Sequence, residues 1–372
     1  MEKLYEKYLK VWEDVCNIES PTDFKEGVDR VGDYFVNLAN ALGFKVERFC
    51  QEVSGDVVVI TLNPDVNAKP IALSGHIDTV FPLGSFGPVR FDEEKIYGPG
   101  VCDCKGGVVA GFMAMEALKN EGYKDRPVML LLQSDEELGS APSKKATIKY
   151  ICEKAKDAEC LLNLEGHTKG EICIQRKGIR TVTFTVEGIA AHSSKCATEG
   201  ANAILEAAHK IIEIEKIKDA DGITCSTNII GGGSTVNTVS DSCIFKVNIR
   251  FATNEQDEYI KKRMQEIADT VYIKGCKTTI DMADKRLPME LCDRNVKLAE
   301  RINKAFEKCG LPSLKPSKRT GGSDAADFTD YGIPCVDSIG AEGYHIHSTN
   351  EYAYKKSLLE AAKRIVAIVK NI

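Results

Sequence analysis

Apolar residues recur at helical spacing from the start of the chain. Leu4, Tyr8, Val11 and Val15 form one set, and Val28, Val31, Phe35, Leu38 and Leu42 form another, with Gly43 placed to end the second helix. Strand signals follow at 56–62, 70–74, 128–133 and 160–164. The last three are short and apolar throughout, as expected of strands buried on both faces. A helical stretch at 106–120 separates the second from the third. This alternation predicts an α/β sheet with crossover helices.

The period changes near Gly178. Thr181, Thr183 and Thr185 alternate with Val182, Phe184 and Val186, which reads as a half-buried strand. A second alternating strand sets Ile244, Val247 and Ile249 against Lys246, Asn248 and Arg250, and helical patterns stand at 200–214 and 256–270. Two strands and two helices predict a small α+β insert. Beyond Pro288 helical patterning returns, with a strand at 335–339 and a closing amphipathic helix at 355–372.

Composition narrows the classes. With 372 residues the chain is long enough for two domains, or one domain with an insertion. The net charge of −6 argues against nucleic acid as a main partner, because phosphate binding needs a basic face. No apolar run reaches transmembrane length, and the opening MEKLYEKYLK lacks the apolar core of a signal peptide, so no membrane partner and a cytoplasmic location are expected. Of 14 cysteines, Cys160, Cys173, Cys225, Cys243 and Cys335 sit in apolar runs, which fits buried free thiols in a reducing compartment. No C-x-x-C pair offers a zinc ribbon or a thioredoxin motif.

Three of the buried strands run into possible metal ligands: Gly75-His76-Ile77-Asp78, Ser134-Asp135-Glu136-Glu137 and Glu165-Gly166-His167. Ligands collect at the carboxyl ends of strands in open α/β sheets. Two more of the six histidines, His345 and His347, follow the last strand. Each cluster alone suits an ordinary hydrogen-bonded or solvated loop. Together, imidazoles and carboxylates from distant segments suit zinc or a related divalent metal. In an extended segment residues two apart face the same way, so Asp78 can accept from the ring nitrogen of His76 that faces away from a metal. Glu136 and Glu137 point apart, so one can bind metal while the other serves as a general base.

The segments GHIDTVFPLG, YGPGVCDCKGG, SDEELGS, NLEG and HSTNE, in this order, resemble the five ligand segments of the dinuclear zinc exopeptidase and aminoacylase family. The likeness is greatest to its glutamate carboxypeptidase branch, through Arg319-Thr320-Gly321-Gly322-Ser323-Asp324-Ala325-Ala326 as well. The resemblance implies a mixed, mostly parallel sheet flanked by helices, divided as 1–177 and 289–372 around a lid or dimerisation domain at 178–288. It implies two zinc ions per chain, with cobalt or manganese as substitutes. Asp103 would bridge them, with His76 and Glu165 on one and Glu137 and His347 on the other. His347 is preferred to His345 because it begins the H-x-x-x-E spacing ending at Glu351. Asp78 would orient His76, and Glu136 would be the general base. A cis peptide is implied at Asp103–Cys104.

In the insert, His192 resembles the histidine that polarises the scissile carbonyl, often from a partner subunit. Asn237, Arg250, Arg286, Gly321 and Gly322 match substrate-contacting positions, the last three around a free carboxylate. The implied activity is hydrolysis of a small peptide or N-acyl amino acid by a homodimer formed through the lid. A general di- or tripeptidase is the second reading, and a metal-binding relative without turnover is a third. The retained Glu136 speaks against that third reading. A cysteine enzyme built on Cys102 or Cys104 would need a histidine partner. An extended chain would turn both thiols away from the face Asp103 presents.

Overall fold

The computed structural model describes residues 1–218, 222–282 and 285–372. The chain divides into two compact units: Met1–Ile174 with Leu291–Lys318 and Ser323–Ile372, and Gln175–Glu290 with Arg319–Gly322. The short excursion Arg319–Gly322, which carries Gly321 and Gly322, thus groups with the second unit.

The first unit is built on a six-stranded sheet. Its spatial order is Lys45–Phe49, Val57–Leu62, Val128–Gln133, Ile71–His76, Cys160–Asn163 and Cys335–Val336. The first two junctions are antiparallel and the last three parallel. The sheet is therefore mixed and mostly parallel, and its three central strands are almost wholly buried. Helix Lys105–Asn120 is buried along nearly its whole length. Helices Tyr5–Asn17 and Lys355–Asn371 contribute Tyr8, Trp12, Leu358 and Ile365 to the same core. Gly107 lets the first turn of the buried helix press against the exit of strand Cys160–Asn163: a Cβ there would stand 1.9 Å from the Leu164 carbonyl oxygen. A real Cβ cannot approach so closely, so the glycine sets how near Asp103 comes to Glu165.

The second unit is an antiparallel sheet in the order Thr224–Gly232, Ser242–Phe251, Gly178–Glu187 and Lys277–Asp281, with Lys285–Arg286 also paired to Gly178–Glu187. Helices Ala203–Glu215 and Asn254–Asp269 share its core with Phe184 and Phe245, whose rings stack at 4.6 Å. The expected two strands are thus five. The unforeseen Thr224–Gly232 and Lys277–Asp281 lie at the sheet's edges and are largely exposed, so they lack a clear apolar alternation. Phase also corrects one position. Ile244 is 44% exposed on the face of Lys246, and Phe245 takes its place inside with Val247 and Ile249. Residues 244 and 247 differ by an odd number and cannot share a face of one regular strand.

Candidate active site

Strand register assembles the centre of the first unit. His76 pairs with Gln133 across parallel strands, and Ser74 pairs with Asn163 on the other side. The residues that follow, Ile77-Asp78, Ser134 to Glu137 and Leu164-Glu165, therefore leave the sheet side by side. Asp78 joins two of these exits. Its Oδ1 lies 3.3 Å from His76 Nδ1, and its two carboxylate oxygens accept the Glu136 and Glu137 amides at 3.3 and 3.1 Å. The Thr22 hydroxyl donates to Asp78 Oδ2 at 2.7 Å.

Asp103 stands between the two imidazoles. Oδ1 is 3.2 Å from His76 Nε2, and Oδ2 is 3.0 Å from His347 Nε2. The same two ring nitrogens lie 3.7 Å from Glu165 Oε1 and 3.2 Å from Glu137 Oε2, respectively. One carboxylate thus addresses two histidine–glutamate pairs through separate oxygens. Glu136 is buried beside them, and its charge helps push up the carboxyls of Glu137 and Glu165. His345 lies outside this set, with its ring against Tyr352 at 5.8 Å.

The electrostatics show an excess of acid. Burial and then the Asp103 charge push Glu137 up to about 7 and Glu165 well above the usual carboxylate range. Burial acts to raise Asp103 too, but hydrogen bonds from His347 and His76 outweigh it and hold Asp103 low. Those bonds to Asp103 and then Glu137 lift His347 to about 10. Buried carboxylates interleaved with imidazole nitrogens form a donor set that fits two divalent ions.

Glu351 is the residue whose role the sequence did not disclose. Its buried carboxylate accepts the amides of Cys102 at 2.8 Å and Asp103 at 3.0 Å on Oε1, and that of Gly100 at 3.3 Å on Oε2. It clamps the loop presenting Asp103 to the segment presenting His347. An acid four residues after His347 was the available signal, but only the fold shows what it holds.

The Asp103–Cys104 peptide is cis. Cys104 caps the following helix and is not extended (φ −129°, ψ 12°), and this corrects the expected placement of its thiol. Cys104 Sγ lies within 4.8 Å of ligand atoms of His76 and Glu165, and it donates to the Leu164 carbonyl at 3.3 Å. Burial pushes this thiol well above its ordinary range, which opposes a thiolate nucleophile.

The remaining candidates belong to the second unit. The Ser193 amide donates to the Asn237 carbonyl at 2.9 Å, and His192 bridges to Thr238, so the His192 and Asn237 segments run together. His192 Nδ1 accepts the Ser194 amide at 3.3 Å. The same Nδ1 lies 2.8 Å from the Ser194 hydroxyl, and an Nδ1 that accepts leaves a neutral ring's proton on Nε2. Arg250, Arg286, Gly321 and Gly322 form another group. Arg250 Nη1 donates to the Thr320 carbonyl at 3.3 Å, and a Cβ on Gly322 would stand 3.5 Å from Arg286 Nη1. Burial and then the Arg286 charge lower the Arg250 pKa. Arg176 Nη1, which the sequence did not single out, donates to the Gly321 carbonyl at 3.4 Å.

Fold and donor set define an α/β protein with a candidate centre for divalent metal. Comparison with known proteins agrees: residues 72–371 match Peptidase family M20/M25/M40, and the chain belongs to that family. It is 28% identical over 372 residues to carboxypeptidase G2 of Pseudomonas sp. (strain RS-16), covering 96% of this chain and 88% of that protein. It is 26% identical over 377 residues to succinyl-diaminopimelate desuccinylase of Rickettsia felis, with 94% of each covered. Among solved structures, aminopeptidase PepT from Bacillus cereus superimposes with a TM-score of 0.83 at 22% identity, covering 99% of this chain and 98% of that one. YXEP of Bacillus subtilis, a dinuclear metal-binding peptidase, gives a TM-score of 0.74 at 14% identity, with 100% of each chain covered. The protein is a hydrolase acting on amide bonds.

Proposed function

We propose that the protein cleaves a peptide or N-acyl amide bond next to a free carboxylate, as an exopeptidase or deacylase of the glutamate carboxypeptidase type. The observation that carries this reading is the two-sided use of Asp103, one oxygen toward His76 and Glu165 and the other toward His347 and Glu137. These five residues would hold two divalent ions, zinc first by the chemistry of the donors. When bound, such ions activate water and polarise the scissile carbonyl.

The chain's own groups do the rest. Asp78 fixes the ring orientation of His76 and the loop carrying Glu136 and Glu137. Glu136 takes a proton from water and returns it to the leaving amine. His192 offers its Nε2 proton to the oxyanion, and Asn237 lies in the segment beside it. Arg250 and Arg286, with the turn at Gly321 and Gly322, receive the substrate carboxylate. Two guanidinium groups that repel one another are relieved by an anion.

Glu136→Gln should keep both metals and lose hydrolysis of N-acyl amino acids by about 10²- to 10⁴-fold. Metal content and kcat measured on the same sample test this, and turnover at the parent rate would refute the general-base role.

A homodimer through the second unit accompanies this reading. Ile204, Leu205, Ile229 and Ile230 are exposed on helix Ala203–Glu215 and on the edge strand Thr224–Gly232. Ile230→Lys should shift the mass in solution, by light scattering, from dimer to monomer, and a parent protein that runs as a monomer overturns the assignment. A reducing compartment such as the cytoplasm suits 14 free cysteines. No helix among the described residues is long and apolar enough to cross a membrane.

A further inference from the structure

A cavity of about 180 Å³ adjoins the Asp103 cluster, with Glu137 in its wall and every lining residue within the first unit. Its apolar surface comes from Pro21, Val80, Pro82 and Leu138. Val80 and Leu138 are 38% and 54% exposed, large apolar side chains left in water beside a cluster of charges. The Thr22 hydroxyl and the Thr22 and Thr79 amides are already engaged. Thr22 donates its hydroxyl to Asp78 at 2.7 Å and its amide to the Thr79 carbonyl at 3.3 Å. The Thr79 amide donates to the Ser20 carbonyl at 2.9 Å, and the two prolines have no amide hydrogen. The only charged side chains among the lining residues described are the acids Asp23 and Glu137.

We infer that this cavity receives the acyl half of the substrate, and that the acyl group is uncharged and apolar, of branched-aliphatic or single-ring size. The inference rests on the hydrolase reading above and adds the class of group on the carbonyl side. Charge assigns the half. With Glu137 committed to a metal, the charge left facing the cavity is that of Asp23, and no cationic side chain is among the lining residues described, so a free carboxylate finds no partner here and the carboxylate-bearing half belongs elsewhere. Size assigns the group. Whole-ligand sites run to roughly 300–1,000 Å³, so this cavity holds one substituent. Position assigns the connection. Glu137 contacts His347 at 3.2 Å and also walls the cavity, so an occupant is only a few bonds from the reacting carbonyl. A succinyl group would bring a second carboxylate beside Asp23, with no cationic side chain to receive it, and should be disfavoured.

The test measures binding apart from turnover. Matched N-acetyl, N-isovaleryl, N-benzoyl and N-succinyl derivatives of glutamate, leucine and lysine are titrated by calorimetry into metal-loaded protein carrying Glu136→Gln. On whichever amino acid binds, isovaleryl or benzoyl should bind about tenfold or more tighter than acetyl, and succinyl no tighter than acetyl. Val80→Asp and Leu138→Ser, both at exposed positions, should each cut the benzoyl-to-acetyl preference by about tenfold or more with metal content unchanged. Equal affinities across the series, succinyl binding tightest, a preference unmoved in both variants, or no binding at all would each overturn the inference. Wild-type protein that shows the binding preference without hydrolysing the same compounds defeats the hydrolase reading and leaves the cavity assignment standing.

Discussion

Asp103 and Arg250 both have charged neighbours, in opposite circumstances. Asp103 is buried between two imidazoles, at the start of a buried helix, and its loop is tied by three amides to Glu351. Arg250 is half-buried on a strand of the second unit, beside another guanidinium, and bonds to Asn248 and the Thr320 carbonyl. The first arrangement fixes positions to fractions of an ångström, because each group is held by others that are themselves held. The second leaves long, flexible cations partly in water, where they can adapt to an anion and lose it again. Chemistry at a reacting bond needs the former. Recognition of one end of a small substrate is served by the latter.

Substitutions should separate the two behaviours. Asp103→Ala has the largest expected effect: both metals go together, and activity falls roughly a thousandfold or more, because both histidine–glutamate pairs lose their common oxygen donor. Metal analysis after desalting checks it, and one ion firmly retained would show that the two positions are independent. Glu351→Ala should be smaller and still shared between the two positions. Metal affinity should drop about 10- to 100-fold by chelator competition, with the Glu351→Gln variant closer to the parent because one acceptor oxygen remains. An unchanged affinity in folded protein would reduce the clamp to a feature of stability alone. Arg250→Ala should be the mildest and the most selective: KM rises about 10- to 100-fold, kcat changes little and metal content stays. A fall in kcat that matches the rise in KM would move Arg250 from binding into the reaction.

Much of the first unit was legible because its strands repeat a simple rule. Apolar runs at 70–74, 128–133 and 160–164 stop where polar residues begin, so His76, Glu137 and Glu165 announced themselves as strand-end residues. His347 was chosen over His345 through its spacing to Glu351, and it is His347 that lies 3.0 Å from Asp103. The second unit read less well. Its edge strands carry exposed side chains and follow no burial period, and Ile244 sits on the outer face where an apolar residue misleads. The expected direction of Cys104 fails because residues two apart share a direction only in an extended chain, and Cys104 is the N-cap of helix Lys105–Asn120.

By itself the sequence determined which donor residues stand at the strand ends, since residue type and distance along the chain decide which donors a strand end can offer. It also determined the alternation that makes the first sheet, since buried strands need apolar runs. Only the tertiary structure decided which oxygen of Asp103 faces which histidine, that Glu351 holds three amides of a loop about 250 residues earlier, and that an acid-lined apolar cavity opens beside Glu137. These depend on register and on contacts between distant segments, where shifts smaller than one residue decide the outcome and leave no mark on local pattern.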